Sequence, residues 1–325
     1  MKMINPYNKG FFEKQWFKGD LHIHSDRSDG RASVPQIMQR LRECGFDFAA
    51  IADHDRYSPP DDQESPILIG NSEMRGAEGG DVLTLFAEVN NAPGASVQDL
   101  IDQTRVNDGL PVLAHPKIGE FGTTKYHWAY PCHALIGKYH GYAGMEVYTH
   151  NVGSGFQTAI DRLDAVWIAR CRATQEPVAV WGLATSDAHD LERITPDVGI
   201  LVSAAECSGS ELHNAIEKGR FYSLAGSRAR FTDISIDGNI LRIKAENAEM
   251  IRLKGGPQSK NSRDRTTYAV EWAGGNESVA CEYMIEGVEG FLRAEALDRN
   301  GNFIYANPIQ IMKDVPTENS AAFIE

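Results

Sequence analysis

Apolar and polar positions alternate with two different periods along the first two thirds of the chain. Short apolar runs fall at 17–24, 48–52, 82–89, 111–114, 145–149 and 178–184. Between them lie segments of helical period at 33–45, 97–107, 156–170 and 210–218. The first of these starts with Ser33 and Gln36 at capping-box spacing and stops at Gly45. Strands that alternate with helices predict parallel βα units and an α/β fold.

The pattern changes after about residue 228. Seven short alternating runs, with Gly, Asn and Asp between many of them, occupy 231–236, 240–245, 251–254, 267–272, 279–284, 291–297 and 303–305. Such spacing is typical of a small antiparallel β-sandwich. The predicted organisation is therefore an α/β domain over 1–227, a β-sandwich over 228–314 and a polar tail over 315–325.

Composition agrees with a globular chain, since 42% of the 325 residues are hydrophobic and 24% are charged. No apolar run approaches the ~20 residues that a membrane-spanning helix needs. Asn, Pro, Lys and Glu interrupt the N-terminal apolar stretches, which does not fit a signal peptide. We expect a cytoplasmic protein without a membrane partner.

The net charge of −13 disfavours long nucleic acid as a partner, because phosphate backbones are bound by clustered Lys and Arg. A small phosphorylated substrate remains compatible, since bound cations would invert the local field. The five cysteines are widely spaced and form no CxxC pair. They are expected to be reduced thiols. The oligomeric state is left open.

Histidines and carboxylates cluster at the carboxyl ends of the strand-like runs, where parallel β/α folds place their active sites. His22 and His24 share one face of a strand, because side chains two apart point the same way. Asp187 and His189 repeat that spacing. His54, His115 and His150 end three further runs.

A single histidine at a strand end is more often a hydrogen-bonded loop residue than a metal ligand. Six histidines that all end apolar runs are poorly explained as separate structural accidents. The set therefore predicts a transition-metal site built of imidazoles and carboxylates.

Six motifs in order carry a resemblance to a known family: GDLHIHSDRSDG, AIADHD, GNSEM, PVLAHP, MEVYTH and SDAH. Over roughly 17–225 the chain resembles the PHP (polymerase and histidinol phosphatase) superfamily of metal-dependent phosphoesterases. The resemblance implies a distorted (β/α)7, TIM-like barrel with two or three Zn, Mn or Fe ions at its mouth. The segment after residue 210 is similar to the family's two-domain proteins with an appended β-sandwich.

Transferred to this sequence, the family pattern implies a set of metal ligands: His22, His24, Asp29, His54, Glu73, His115, His150, Asp187 and His189. Glu78 and Glu88 compete with Glu73 for the bridging position, and the ligand role of His150 depends on which branch of the family applies. Asp20 and Asp53 are expected to orient ligand imidazoles.

The expected chemistry is hydrolysis of a small phosphoester by a hydroxide held between cations, with Glu73, Asp187 and His189 serving catalysis as well as ligation. Arg75, Lys117 and Arg228 are candidates for binding the phosphate, although each alone could be a solvated surface charge. One alternative applies the same metals to a carboxylic ester, amide or lactone. Another makes the β-sandwich a binding module supported by the barrel.

Overall fold

The computed structural model describes residues 2–7, 10–90, 92–115, 139–149, 180–257, 268–274, 278–286 and 289–312. The helices are α1 (Val34–Glu43), α2 (Val97–Val106) and α3 (Gly209–Glu217), with a 3-10 turn at Leu191–Arg193. The first strands are β1 (Lys2–Ile4), β2 (Gln15–Ile23), β3 (Phe48–Ile51), β4 (Ile67–Ile69), β5 (Glu73–Arg75), β6 (Asp81–Leu85), β7 (Leu110–Leu113), β8 (Gly144–Tyr148), β9 (Trp181–Ala184), β10 (Val198–Ala204) and β11 (Phe221–Ala225). The later strands are β12 (Arg230–Asp237), β13 (Ile240–Glu246), β14 (Met250–Pro257), β15 (Tyr268–Ala273), β16 (Ser278–Met284), β17 (Glu289–Leu297), β18 (Phe303–Ala306) and β19 (Ile309–Met312).

Two sheets form the N-terminal part. In the first, β2, β3 and β4 pair in parallel and β10 lies antiparallel to β2. In the second, β5 to β9 are neighbours in chain order, with β7, β8 and β9 parallel and β5 and β6 antiparallel to their neighbours. A shared apolar core that includes Leu21, Phe48, Leu83 and Leu183 packs the strands together.

The described strands form mixed sheets and no closed barrel, so the predicted distorted (β/α)7, TIM-like barrel is not seen in its regular form. Antiparallel pairs at β5–β6 and β6–β7 interrupt the βα repeat, and few helices separate the described strands. Within the described part of the chain, the backbone pairing between the two sheets consists of isolated bridges such as Ile23 with Ala188 and His54 with Glu73. The observed architecture is thus sheet-rich and mixed, with parallel segments that retain the α/β character.

The helices begin where their capping residues predict. Gln36 Oε1 accepts the Ser33 backbone N–H at 2.9 Å at the start of α1, and Ile37 and Leu41 bury its inner face. In α2, Ser96 Oγ accepts from the Asp99 N–H at 3.1 Å. The helix predicted at 156–170 lies outside the described residues. No helix in the described ranges is long and apolar enough to cross a membrane.

All seven strands predicted after residue 228 are present. β12, β13 and β16 make one antiparallel sheet, whereas β14, β15, β17, β18 and β19 belong to a larger one. A second apolar core, which includes Phe231, Ile243 and Ala296, draws on residues of both sheets. The larger sheet continues past the predicted boundary, because β18 pairs with β11 in the register Tyr222 to Ala306. The division at 227/228 stays a prediction.

A buried ion cluster stabilises the outer face of β17. Arg293 is fully buried, and its Nη1 donates to Glu295 Oε1 at 2.6 Å. Arg252 and Lys254 approach the same carboxylate at 3.4 and 3.8 Å. Burial raises the pKa of Glu295, but the three cations outweigh it and hold the pKa below its usual value.

We expect Glu295→Gln to lower the free energy of unfolding by about 3–5 kcal/mol, because it leaves buried positive charge uncompensated. Glu282→Gln is the matched control. Its ion pair with Arg242 is exposed, so a much smaller loss is expected. Urea titration at neutral pH measures both.

The ion pair of Glu295 with Arg293 also makes the free energy of unfolding depend on pH. A carboxyl group whose folded-state pKa is depressed stabilises the fold above its unfolded-state pKa and loses that stabilisation as pH falls through the folded value. The difference between wild type and Glu295→Gln should therefore shrink on acidification below about pH 4. A difference that grows at low pH would contradict the assignment.

Candidate metal centre

The end of β2 turns two imidazoles toward one point. His22 and His24 are both buried, while Leu21 and Ile23 between and before them pack into apolar cores on the other side. His22 Nε2 lies 3.0 Å from His24 Nε2. The period-two spacing of the strand therefore brings the two nitrogens together as the sequence predicts.

Two buried carboxylates complete this inner group. Glu73 Oε2 lies 3.5 Å from His22 Nε2 and 3.4 Å from His24 Nε2. Asp187 Oδ1 lies at the same two distances, 3.5 and 3.4 Å, from those nitrogens. The inner group consists of His22, His24, Glu73 and Asp187.

The separations among His22, His24 and Glu73 fit a common ion, and Asp187 belongs to a second possible set with His22 and His115. Four ligands placed 2.0–2.1 Å from a tetrahedral zinc are about 3.3–3.4 Å from one another. Glu73 Oε2 is buried and accepts no hydrogen bond from the described residues, although it lies within 3.5 Å of imidazole nitrogens. A buried carboxylate oxygen without a donor is costly, and a cation would compensate it. The donors present therefore suit a divalent transition metal.

An outer group lies nearer to solvent. Asp29 Oδ2 is 3.4 Å from His54 Nε2 and 3.3 Å from His189 Nε2, and Asp29 Oδ1 is 3.4 Å from His24 Nδ1. Ligand atoms of these four residues lie close enough to hold one ion. The side chains of Asp29, His54 and His189 are 53%, 36% and 31% exposed, so this group forms the open mouth of the site.

Glu73 connects the groups. Its Oε2 lies 3.1 Å from His54 Nδ1 in the outer group, and its Oε1 lies 2.7 Å from His115 Nε2. The two competing glutamates are elsewhere. Glu78 accepts the Val97 N–H at the start of α2 at 3.1 Å, and Glu88 is exposed. Geometry thus selects Glu73 as the shared carboxylate.

Glu146 is a member of the site that the sequence reasoning missed. It is buried on β8, and its Oε1 lies 2.8 Å from His22 Nδ1 and accepts from Thr185 Oγ1 at 2.6 Å. Its Oε2 accepts the His115 backbone N–H at 2.6 Å. The carboxylate therefore fixes the ends of β2, β7 and β9. With Nδ1 of His22 protonated, Nε2 presents its lone pair to the inner group.

Asp20 and Asp53 were predicted to orient ligand imidazoles. Their carboxylates instead accept hydrogen bonds from backbone N–H groups and, for Asp53, from a serine hydroxyl. Asp20 accepts the backbone N–H groups of His22 and Ser186 at 3.3 and 3.1 Å. Asp53 accepts the Ser25 N–H at 2.8 Å and the Ser28 hydroxyl at 2.8 Å. Both carboxylates thereby fix the loops that carry the candidate ligands.

Two candidate ligands have a left-handed backbone. His115 has φ of +22° and Asp187 has φ of +49°. Such conformations cost a non-glycine residue roughly 1–3 kcal/mol and concentrate at functional sites. The strain supports a functional role for both positions.

Opposite charges control protonation in the cluster. Burial opposes charging of His115, yet the carboxylates of Glu73, Asp187 and Glu146 raise its pKa to about 9. Burial likewise opposes charging of His22, and nearby carboxylates raise its pKa well above its usual value. Burial raises the pKa of Glu73, but His22 and His115 hold it well below its usual value. The buried carboxylates thus require positive charge, which protons or metal cations can supply.

Of the predicted phosphate-binding residues that the structure describes, Arg75 is paired with a carboxylate beside the cluster and Arg228 lies at a different cavity. The Arg75 guanidinium donates to both oxygens of Asp81, at 2.7 and 2.8 Å. Arg228 lines a separate cavity of about 510 Å³ beside Asp197 and Asp298. Lys117 and His150 lie outside the described residues.

No family model and no curated protein matches the chain. Solved structures do resemble it. One is a two-domain protein containing a predicted PHP-like metal-dependent phosphoesterase from Bacteroides vulgatus, at TM-score 0.45 and 16% identity over 94% of this chain and 97% of that one. Another is an amidohydrolase from Chromobacterium violaceum, at TM-score 0.38 and 14% identity over 53% and 88% of the respective chains. The case for chemistry therefore rests on the side chains of the cluster.

We expect Glu73→Gln to reduce the metal content of protein purified without chelator, because the shared carboxylate loses its charge. Glu88→Gln, an exposed residue that was the competing candidate, is the matched control. Elemental analysis measures bound metal per chain. Equal metal content in both variants and wild type would refute the assignment of Glu73.

We expect Glu146→Gln to weaken metal binding by about 10–100-fold, since the amide cannot accept all three hydrogen bonds that hold His22, His115 and Thr185. A competition titration against a chelator gives the dissociation constant, and thermal unfolding of metal-free protein gives stability separately. Lower stability with an unchanged dissociation constant would reduce Glu146 to a structural residue.

Proposed function

We propose that the protein is a metal-dependent hydrolase of small phosphoesters that acts at the mouth of this cluster. The observation that carries the proposal is the position of Glu73, whose two oxygens contact imidazoles of the inner group, the outer group and His115. One buried carboxylate shared in this way favours cations held side by side. Such paired ions activate water and stabilise both the attacking and the leaving oxygen of a phosphoryl transfer.

The candidate ligands differ in solvent exposure. His22, His24, Glu73 and Asp187 form the buried part of the site, where electrostatic interactions are strong. Asp29, His54 and His189 are partly exposed, so substrate would approach from their side. His189 Nδ1 lies 3.0 Å from the Asp187 carbonyl oxygen and donates to it, which leaves Nε2 to face Asp29 and an ion.

Imidazole and carboxylate donors suit Zn, Mn or Fe better than Ca. The inner and outer groups support two ions. Two further sets are possible by distance: His22, His115 and Asp187, and Glu73, Asp81 and His115. Arg75 already occupies both oxygens of Asp81, which disfavours the last set, so the described residues support two or three ions.

The acidic chain and the buried carboxylates favour a compact substrate whose charge is met by the cations: a monoester, a nucleotide or a short oligonucleotide end. Hydrolysis of a carboxylic ester, amide or lactone by the same metals is the alternative. A binding role for the β-sandwich has less support, because Trp272 packs against the core of that region.

The test is a substrate panel with metal-loaded protein in added manganese. We expect turnover of phosphomonoesters or nucleotides and loss of that turnover in a His22→Ala, His24→Ala double variant. The panel also contains carboxylic esters, carbamates and lactones. Turnover of these without any phosphoester would overturn the proposal in favour of the alternative.

A further inference from the structure

A small cavity opens beside the mouth of the metal centre. Its volume is about 250 Å³, and Arg31, His189, Asp190 and Arg193 line it. Whole small-molecule pockets are usually ~300–1,000 Å³, so this space suits one chemical group rather than an entire ligand. The cavity is therefore a candidate subsite.

The backbones of both arginines lie close to His189. The Arg31 backbone N–H donates to the His189 carbonyl at 2.8 Å. Arg193 ends the 3-10 turn, and its backbone N–H donates to Asp190 Oδ1 at 3.3 Å. These backbone contacts keep two guanidinium groups on the same rim, although the residues are far apart in sequence.

The lining is locally positive. Two arginines and one aspartate are among the four lining residues, and Arg193 Nε lies 3.7 Å from Asp190 Oδ2. This balance contrasts with the net charge of −13 on the whole chain. Guanidinium forks bind oxyanions such as carboxylate or phosphate in bidentate fashion. The cavity thus suits an anion, with Asp190 as the group that opposes it.

The cavity lies beside the metal centre rather than inside it. Of the candidate ligands that the structure describes, His189 alone is part of its lining, and none of the inner group contributes. An anion seated between the arginines would therefore differ from the ester that is hydrolysed. It would belong to a neighbouring part of the same substrate.

We propose that Arg31 and Arg193 form a subsite for a second anionic group, the size of a carboxylate, carried on the leaving alcohol of the substrate. The proposal rests on the phosphoesterase function above and narrows its substrate class to phosphoesters of acidic alcohols. Arg31 and Arg193 are then residues that determine specificity, and the ions act on the ester itself.

Matched substrates test the subsite. 2-Phosphoglycerate and glycerol 2-phosphate differ only by a carboxylate in place of a hydroxymethyl group, and 3-phosphoglycerate and glycerol 1-phosphate form a second such pair. We expect a kcat/KM ratio of about ten in favour of the acid in at least one pair, equivalent to ~1.4 kcal/mol. In an Arg31→Gln, Arg193→Gln double variant the ratio should fall toward one.

Two further variants test whether the kcat/KM ratio depends on the charges that line the cavity. Asp190→Asn keeps an oxygen that can accept the Arg193 N–H but removes the opposing charge, so the ratio should rise. Arg27→Gln changes an exposed arginine of the same loop that does not line the cavity, so the ratio should stay at the wild-type value.

A wild-type ratio of one in both pairs would overturn the subsite, and so would an equal loss for acid and alcohol substrates in the double variant. Calorimetric binding of the four compounds to metal-loaded protein separates this result from failure of the proposed function. Tighter binding of the acids that depends on the two arginines, without turnover, would support the subsite and reject phosphoester hydrolysis. Turnover with no preference for the acids would support phosphoester hydrolysis and reject the subsite.

Discussion

The structure depends on buried negative charge at the ends of its strands. Glu73, Glu146 and Asp187 are each at most 5% exposed and lie within one cluster of imidazoles. Carboxylates in such surroundings remain ionised only if positive charge faces them. The imidazoles supply ligand atoms and, in the absence of metal, protons. Cation binding, the choice of tautomer at His22 and the buried part of the site all follow from this constraint.

Much of this centre could be predicted from spacing alone. The alternation of a strand places His22 beside His24, and the same rule applies to Asp187 and His189. Glu146 left a signal that was overlooked. It is the one charged residue in the apolar run 145–149, and a charge inside such a run is seldom buried without a partner. Seven of the eight β-strands described after residue 228, β12 to β18, were predictable because turn residues separate many of their alternating runs.

Other features depend on contacts that local patterns do not encode. β10 and β11 were missed. The mixed sheets depart from the predicted distorted (β/α)7 barrel because the antiparallel pairing of β5, β6 and β7 is set by register between distant segments. Asp53 precedes a histidine in sequence but binds the Ser25–Ser28 loop. The approach of Arg31 to Arg193 likewise arises only when the loop after β2 meets the 3-10 turn.

The two isolated bridges between the sheets have a consequence for motion. Each seam is held by backbone bonds at candidate ligands: His24 N–H to the Ala188 carbonyl at 2.9 Å, and Asp55 N–H to the Glu73 carbonyl at 2.9 Å. Seams without a continuous ladder of strand pairing are places where local opening can occur, which native-state hydrogen exchange detects. An ion bound by residues from both sheets would link them across these seams. Local opening between the sheets would then be less frequent in the metal-bound protein than in the metal-free protein.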